Sequence, residues 1–390
     1  MSGDTGTPGP GRNVALLRKQ RGMSQATLAR RAGVSVSLLS KIEIGDRALS
    51  QGVAAALGRA MSVTLDEVLG RAQPTPNSEE HLKELRSSIR RFDLPGEASA
   101  DFALLTRELD ELTTLRSNAK LSEVLRKTPG LLANATNHAH AVGTPPAWAI
   151  VADIYSAVYW LAARHRWMDL AELAVVKQRL AAERATPLVA TVAARDEAGV
   201  FLNSGDFEGG LAVVDRAIVE AESTTSGLER TFGVGQLHLR GLTLAGRLGD
   251  RAEAERHAAA AWRRAGELPE DVRLHGIHFG PENTAHHLVA TSVDLDQHRK
   301  ALEVADQLNR HPPTLPATRT GPLHLNEARA KLALGDRDGA LESLTRAWGS
   351  APQLAKVHPH SQELLRVLIS LHRRSNPRLT KLAKSAGVTV

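Results

Sequence analysis

Residues 23–45 read MSQATLARRAGVSVSLLSKIEIG, two short helical stretches divided by one glycine turn. Ser24 stands where a helix start needs a side-chain acceptor, and Leu28 and Ala29 follow at inward-facing spacing. Gly33 ends that stretch, because a tight turn between helices needs a positive φ. Ser35 then caps a second helix with Leu38, Leu39 and Ile42 at buried spacing, and Gly45 closes it. Upstream, NVALLRKQRG offers a helix with Val14, Leu16 and Leu17 as apolar positions and Gly22 as its stop. Downstream, Thr64 and Glu67 form a capping box for a last short helix before Gly70. Five short helices in about sixty residues make a compact bundle.

Small residues set the crossing. Ala29 lies four residues after Gln25, and Gly33 four after that, so two helices can meet closely through a short turn. This spacing predicts a helix-turn-helix, the geometry that lays its second helix in a DNA major groove. Charge points the same way. Residues 1–72 hold ten Lys and Arg against five Asp and Glu, while the rest of the chain holds 39 against 38. A small cationic module joined to a nearly neutral large one predicts a polyanionic partner for the small part.

The stretch LRKQRGMSQATLARRAGVSVSLLSKIEIGDRALS resembles the lambda-repressor-like family of helix-turn-helix regulators, also called XRE. The resemblance implies that Gln25, at the start of the second helix, bonds a phosphate. It also implies that Val36, Ser37, Ser40 and Lys41 face base edges, with Ser35 at the entry of the same helix. Serine and lysine can hydrogen-bond bases or phosphates, and a valine can meet a thymine methyl. Glu43 would repel phosphate, and the resemblance pairs it internally with Arg18. Arg30, Arg31 and Arg47 either contact phosphate or keep the surface solvated; Arg47 joins the expected DNA contacts. ALSQG follows Arg47 where the family carries more basic residues, which weakens backbone clamping by that loop.

At 390 residues with 42% hydrophobic and 3% aromatic content, the chain is long enough for at least two globular, helix-rich domains. Zero cysteines exclude a disulfide scaffold and thiolate metal sites and fit a reducing cytoplasm. The opening residues MSGDTGTPGPG lack the features of a secretory signal. The longest stretch free of charged side chains, 128–152, carries Asn134, Asn137, His138, His140, Pro145 and Pro146, which argues against a membrane span. Residues 12–70 are expected to be the DNA-binding domain. RAQPTPNS, 71–78, has two prolines and no apolar period and is expected to be a linker. Residues 79–388 are expected to be helical throughout, with breaks at 95–96, 128–130, 143–146, 223–227, 268–270, 311–316 and 351–360, and with no sheet.

That region repeats. LNSGDFEGGLAVVDRAI, LAGRLGDRAEAERHAAAAW and LALGDRDGALESLTRAW share a helix ending at Gly-Asp and a second helix opening with a small residue. HRWMDLAELAVVKQRLA and VDLDQHRKALEVADQL are weaker copies. Their anchors are Ala171, Gly210, Ala254, Ala301 and Ala340, spaced by 39, 44, 47 and 39. The pattern resembles tetratricopeptide repeats, whose usual period is about 34. The expected fold is therefore all-α, a five-helix lambda-repressor-like domain followed by a tetratricopeptide-like α-solenoid. Stacked units generate a concave surface lined by the first helix of each pair. Counting back from the anchors places Asp196, Gln236, Arg240, Asn283, His287, Asn326 and Arg329 at equivalent inner positions. Amides can pair with a peptide backbone and arginine can take a carboxylate with two bonds; a merely solvated groove is the plain alternative.

HFGPENTAHH (278–287) and KVHPHSQELLRVL (356–368) resemble a group of bacterial XRE regulators with tetratricopeptide-like C-terminal halves. In the wider class such domains bind short signalling peptides, as in quorum sensing, or another ligand, and change DNA affinity. The resemblance implies a cytoplasmic, nucleoid-associated homodimer with a double-stranded DNA operator and a peptide or small-molecule effector as partners. A repeat domain that docks a protein partner, with no small effector, is the alternative. NHAH, HGIH and HPH lack the carboxylate spacing of a zinc motif, and neither a phosphate loop nor a nucleophile elbow occurs. No metal, cofactor or enzymatic activity is expected. Trp148, Tyr155, Tyr159, Trp160 and Trp167 crowd within twenty residues, as a ligand cage or as packing between helices.

Overall fold

The computed structural model describes residues 9–69, 76–371 and 376–386. The first five helices are α1 (Pro10–Gln20), α2 (Gln25–Ala32), α3 (Val36–Ile44), α4 (Gln51–Met61) and α5 (Leu65–Leu69). Their starts are built as the sequence predicts. Ser24 Oγ accepts from the Thr27 amide at 3.1 Å and Ser35 Oγ from the Leu38 amide at 3.1 Å. Thr64 and Glu67 exchange the two bonds of a capping box, at 3.1 and 2.6 Å. Val14, Leu28, Leu39 and Ile42 fill the bundle core, whereas Leu16 is 44% exposed. Gly70 and residues 71–75 of the expected linker lie outside the described residues. Helix α6 (Pro76–Arg90) already begins within that expected linker.

Behind it come α7 (Phe102–Ser117), α8 (Leu121–Val142), α9 (Pro145–His165), α10 (Met168–Ala182), α11 (Pro187–Ser204), α12 (Phe207–Thr224), α13 (Gly227–Leu248) and α14 (Arg251–Ala265). The chain continues through α15 (Pro281–Asp294), α16 (His298–Leu308), α17 (Ala317–Ala333), α18 (Arg337–Ser350), α19 (Pro352–Val357), α20 (Pro359–Leu371) and α21 (Pro377–Ala386). All five anchors occupy the fourth position of an even-numbered helix from α10 to α18 and are buried. Small residues are needed there because the neighbouring inner helix lies close. A methyl on Gly210 would stand 2.6 Å from Leu244 of α13.

One backbone device joins the pairs. Gly205, Gly249 and Gly335 take φ of 86°, 85° and 88°. Asp206, Asp250 and Asp336 follow, and their carboxylates accept from Gly209, Glu253 and Gly339 amides at 2.9–3.0 Å. In the weaker copies Arg166 (φ 60°) and Asp296 (φ 58°) hold the left-handed position, which costs a non-glycine residue strain. Ala119 (φ 55°) does the same between α7 and α8, so a further unit precedes the first copy that sequence comparison finds. Its anchor position is Val124, fully buried; a valine there hid it.

Three expectations fail. Helix α19 fills most of the expected break at 351–360, leaving only Ala351 and His358 between helices. Helix α8 runs through the predicted break at 128–130 with Pro129 inside it. Thr128 Oγ1 bonds the Val124 carbonyl at 2.6 Å, and Ser88 of α6 donates to the Pro129 carbonyl at 3.0 Å. Burial of both residues against α6 and α9 holds a helix that local preference would end. A small sheet also exists: β1 (Val272–Leu274) pairs antiparallel with β2 (Ile277–Phe279). His275 (φ 49°) and Gly276 (φ 67°) form its turn, the mirror-image type that suits hairpin twist. Phe279 enters the core so closely that a methyl on Gly235 of α13 would overlap its ring.

The five-helix N-terminal bundle and the repeats share one apolar core. Leu57, Ala55 and Leu65 belong to the same cluster as Ala198, Leu202, Phe207 and Val214. Arg59 Nη1 reaches the Gly205 carbonyl at 3.4 Å, and Ser370 Oγ bonds Asp46 at 3.2 Å. Glu363 of α20 accepts from the Gly11 amide of α1. Burial pushes its carboxyl up to about 7, against the opposing pull of Arg366 and that amide.

Two outcomes follow from this packing. Gly235→Ala should lower stability by roughly 1–3 kcal/mol, the usual cost of overpacking. Urea unfolding of Gly235→Ala, Phe279→Leu and the double variant should show the two changes partly rescuing each other; simple additivity would refute the contact. For Glu363 the raised folded value means that stability is full below the ordinary carboxylate range and is lost as pH rises towards and through 7. Glu363→Gln should therefore match the parent near pH 4 and exceed it at pH 8 by on the order of 1–3 kcal/mol, read from the same unfolding curves.

Candidate nucleic-acid interface and ligand groove

Helix α3 owes its orientation to one buried ion pair. Arg18 of α1 grips Glu43 with Nε at 2.6 Å and Nη2 at 2.8 Å, and its Nη1 donates to the Met23 carbonyl at 2.8 Å. Gln25 Nε2 adds a bond to Glu43 at 2.9 Å. Burial works to raise the Glu43 carboxyl, yet the bonds from Arg18 and Gln25 and the Arg18 charge hold it below its ordinary value. The pairing implied by the family resemblance is present, and Glu43 is an internal brace.

With α3 so fixed, Ser35, Val36, Ser37 and Lys41 are exposed and Ser40 is half-buried. Ser37, Lys41 and Ile44 fall on one face at helical spacing. Ile44 is 64% exposed; sequence reading passed over it because an isoleucine beside Ile42 reads as core. Gln25 sits at the first position of α2, where the helix dipole favours an anion. One of its two amide hydrogens is engaged by Glu43, leaving the other for a phosphate. Arg47 stands apart from this face. It is exposed but lines a 210 Å³ cavity at the seam with the repeats, together with Asp294, His298, Arg329 and His360.

The repeats enclose a second cavity of 220 Å³. Its walls come from the odd-numbered helices α9 to α17, as expected for a concave inner face, and Gln51 of α4 closes one side. The seven expected ligand-binding residues divide. Arg240, His287, Asn326 and Arg329 line the cavity. Asp196, Gln236 and Asn283 do not, because each is buried in the wall and occupied there. Asp196 accepts from Ser156 at 2.7 Å, Gln178 at 3.2 Å and Arg195 at 2.6 Å. Gln236 and Asn283 both donate to the His278 carbonyl, Asn283 at 2.8 Å. These three residues hold the hairpin and the inner helices together. An equivalent repeat position fixes the helix face, but the side chain next door decides whether it reaches the groove.

The structure adds residues that repeat counting missed. Arg195 precedes Asp196 on α11 and turns into the cavity, while Arg116, Arg164 and Arg319 enter from α7, α9 and α17. The aromatic cluster is core: all five rings are at most 7% exposed, although Tyr159 and Trp160 touch the cavity. Helix α9 is long and apolar enough to cross a membrane, but 83% of its apolar window is buried inside this fold. Asp215, Glu253 and His257 lie close enough to share a cation. The Arg256 guanidinium already binds both carboxylates there, so the place is taken by a resident charge.

Comparison with known proteins bears on the N-terminal part. Residues 14–68 match the family model HTH_3, described as helix-turn-helix. None of the curated proteins matches the chain. Among solved structures, PlcR of Bacillus thuringiensis in complex with the peptide PapR7 and DNA is similar at 12% identity and a TM-score of 0.35, covering 92% of this chain and 99% of that one. A point mutant of PrgX gives 9% identity, a TM-score of 0.31 and coverage of 96% and 99%. The apo competence regulator ComR of Streptococcus vestibularis gives 12%, 0.17, and coverage of 97% and 98%. At such scores the likeness transfers nothing from those proteins to this chain. The match and the geometry agree on a helix-turn-helix at residues 14–68, set against a repeat domain that is helical apart from one short hairpin.

Proposed function

We propose that the chain is a sequence-specific DNA-binding transcriptional regulator whose operator affinity is tuned by a peptide or small ligand in the groove of the repeat domain. The observation that carries this reading is Gln51, a residue of the DNA-binding bundle that forms part of the groove wall. Behind it, a methyl on Gly52 would stand 2.9 Å from the Arg247 carbonyl, so α4 and α13 are in direct contact. A ligand in the groove therefore meets the DNA-binding domain without an intermediary. Occupancy favours one docking of the bundle over another, and the shift is limited by the difference in affinity for the two.

Two chains pair through the repeat domain and hold their recognition helices about 34–36 Å apart, one turn of DNA. An exposed apolar stripe on α10, formed by Leu173, Val176 and Leu180, supports a pairing surface there. Ser37, Ser40 and Lys41 read base edges, Val36 meets thymine methyls, and Gln25 and Ser35 position the helix on phosphate. Arg47 contacts phosphate only in a docking that frees it from the seam. A protein-docking scaffold is the second reading, but a cavity of 220 Å³ between the inner helices fits a compact ligand better than a folded partner. The regulator itself performs no chemistry.

Selection of operator sequences by the purified full chain, followed by footprinting, tests the proposal. Lys41→Ala and Ser37→Ala should change the preferred sequence, each contact carrying about 1–3 kcal/mol of discrimination. Gln25→Ala should weaken binding on all sequences alike. Equal loss on every sequence for all three variants would contradict the assigned roles.

A further inference from the structure

The groove is unusual in its charge. Seven arginines and five histidines line it, and among its described lining residues there is no aspartate or glutamate. Buried cations normally bring counter-charges with them, and some of these do. Asp196 pairs with Arg195 at 2.6 Å, and Asp294 holds Arg247 at 2.8 Å and Arg329 at 2.7 Å. Arg116, Arg164, Arg240 and Arg319 have no such pairing among the described residues. The Nε atoms of Arg164, Arg240 and Arg319 are buried and lack any hydrogen-bond partner.

Two of the four have other contacts. Arg116 lies over the Trp160 ring at 5.8 Å and donates to Ser156 at 3.3 Å. The Arg319 chain is anchored through its own carbonyl, which meets His286 Nδ1 at 3.2 Å. Guanidinium groups gathered at one groove without carboxylate partners are what a site for planar oxyanions requires. Neighbouring positive charge adds to burial at Arg319 and His287. Burial first, and then Arg195, Arg164, Arg116 and Arg240, push Arg319 down to about 9. Burial, then the Arg319, Arg195 and Arg240 charges, hold His287 well below its ordinary value.

From this arrangement we infer that the groove binds a compact polyanion, a ligand bearing at least two phosphate or carboxylate groups, with Arg240 and Arg319 as its principal anchors. The inference rests on the groove being the effector site and specifies the effector's chemistry. One water needs about 10–15 Å³ on a comparable measure, so 220 Å³ admits much more than a lone ion. A DNA duplex is far too wide to enter. A neutral apolar peptide would leave four cations facing one another across a site from which it had expelled the water.

Inorganic pyrophosphate and a tri-glutamate peptide are suitable probes for the two sources of negative charge. Each is titrated into the full chain by calorimetry, with melting temperature followed in parallel at constant ionic strength. At least one should bind and raise the melting temperature above that in sodium chloride; the one that binds identifies phosphate or carboxylate as the preferred group. Arg240→Gln combined with Arg319→Gln should weaken that binding at least tenfold. The same pair of changes should leave the unliganded protein folded and more heat-stable, since it removes repulsion. If neither anion raises the melting temperature, or if both bind the double variant as well as the parent, the inference is wrong. Operator affinity measured alongside separates the two levels. Anion binding with unchanged operator affinity removes the effector reading and keeps the site. An operator response to a neutral ligand, without anion binding, does the reverse.

Discussion

The junction between paired helices is the constraint on which this molecule depends. A residue in the left-handed region turns the chain back, and the next residue caps the following helix before a buried fourth position. Gly205-Asp206, Gly249-Asp250 and Gly335-Asp336 do this with the least strain. Ala119, Arg166 and Asp296 reach the same backbone without glycine, and tertiary packing must supply what that costs. Repeating one junction repeats one rotation between neighbours, so the inner helices converge on a common axis. The arginines of α9, α11, α13 and α17 meet across a groove for that reason, although those on different helices lie tens of residues apart in sequence.

The second organising feature is the continuity between the DNA-binding bundle and the repeats. Their apolar side chains form a single cluster, and Gln51 and Arg47 bring the bundle to the edges of two neighbouring cavities. Arg329 and His360 line both. The seam is polar as well as apolar: Asp46, Arg59 and Glu363 take part in it. Polar groups at such a seam cost little when the surfaces part and regain water, which suits a contact that must change. The exposed face of α3 is not part of the seam, so the bundle can remain docked while Ser37 and Lys41 stay open to solvent.

Much of the site was readable locally. Serine caps, glycine stops and the capping box act over three or four residues, and α2, α3 and α5 begin where they put them. The three Gly-Asp copies and the two weaker ones placed five anchors at one structural position for the same reason. Legibility failed where contact partners are remote in sequence. Pro129 signals a break, but burial against α6 and α9 overrides it. The β1–β2 hairpin carries too few residues to show alternation, and it exists because Phe279 has a slot at Gly235. Asp196, Gln236 and Asn283 have the right helix and the right turn, yet each bonds a neighbour within the wall.

By itself, then, the order of residues determined the elements and their punctuation: which segments are helical, where each begins, and which face of α3 is free. Those properties arise from hydrogen bonds and sterics within a turn or two of helix. Only the tertiary structure decided where the unpaired charge collects. Whether an arginine has a partner depends on which carboxylate lies within a few ångströms, and here those distances join helices tens of residues apart. Asp294 of α15 reaches Arg247 of α13 and Arg329 of α17, whereas Asp196 takes its own neighbour Arg195. Arg240 and Arg319 are left facing the groove without a carboxylate, a fact of geometry that a nearly neutral repeat domain conceals in its composition.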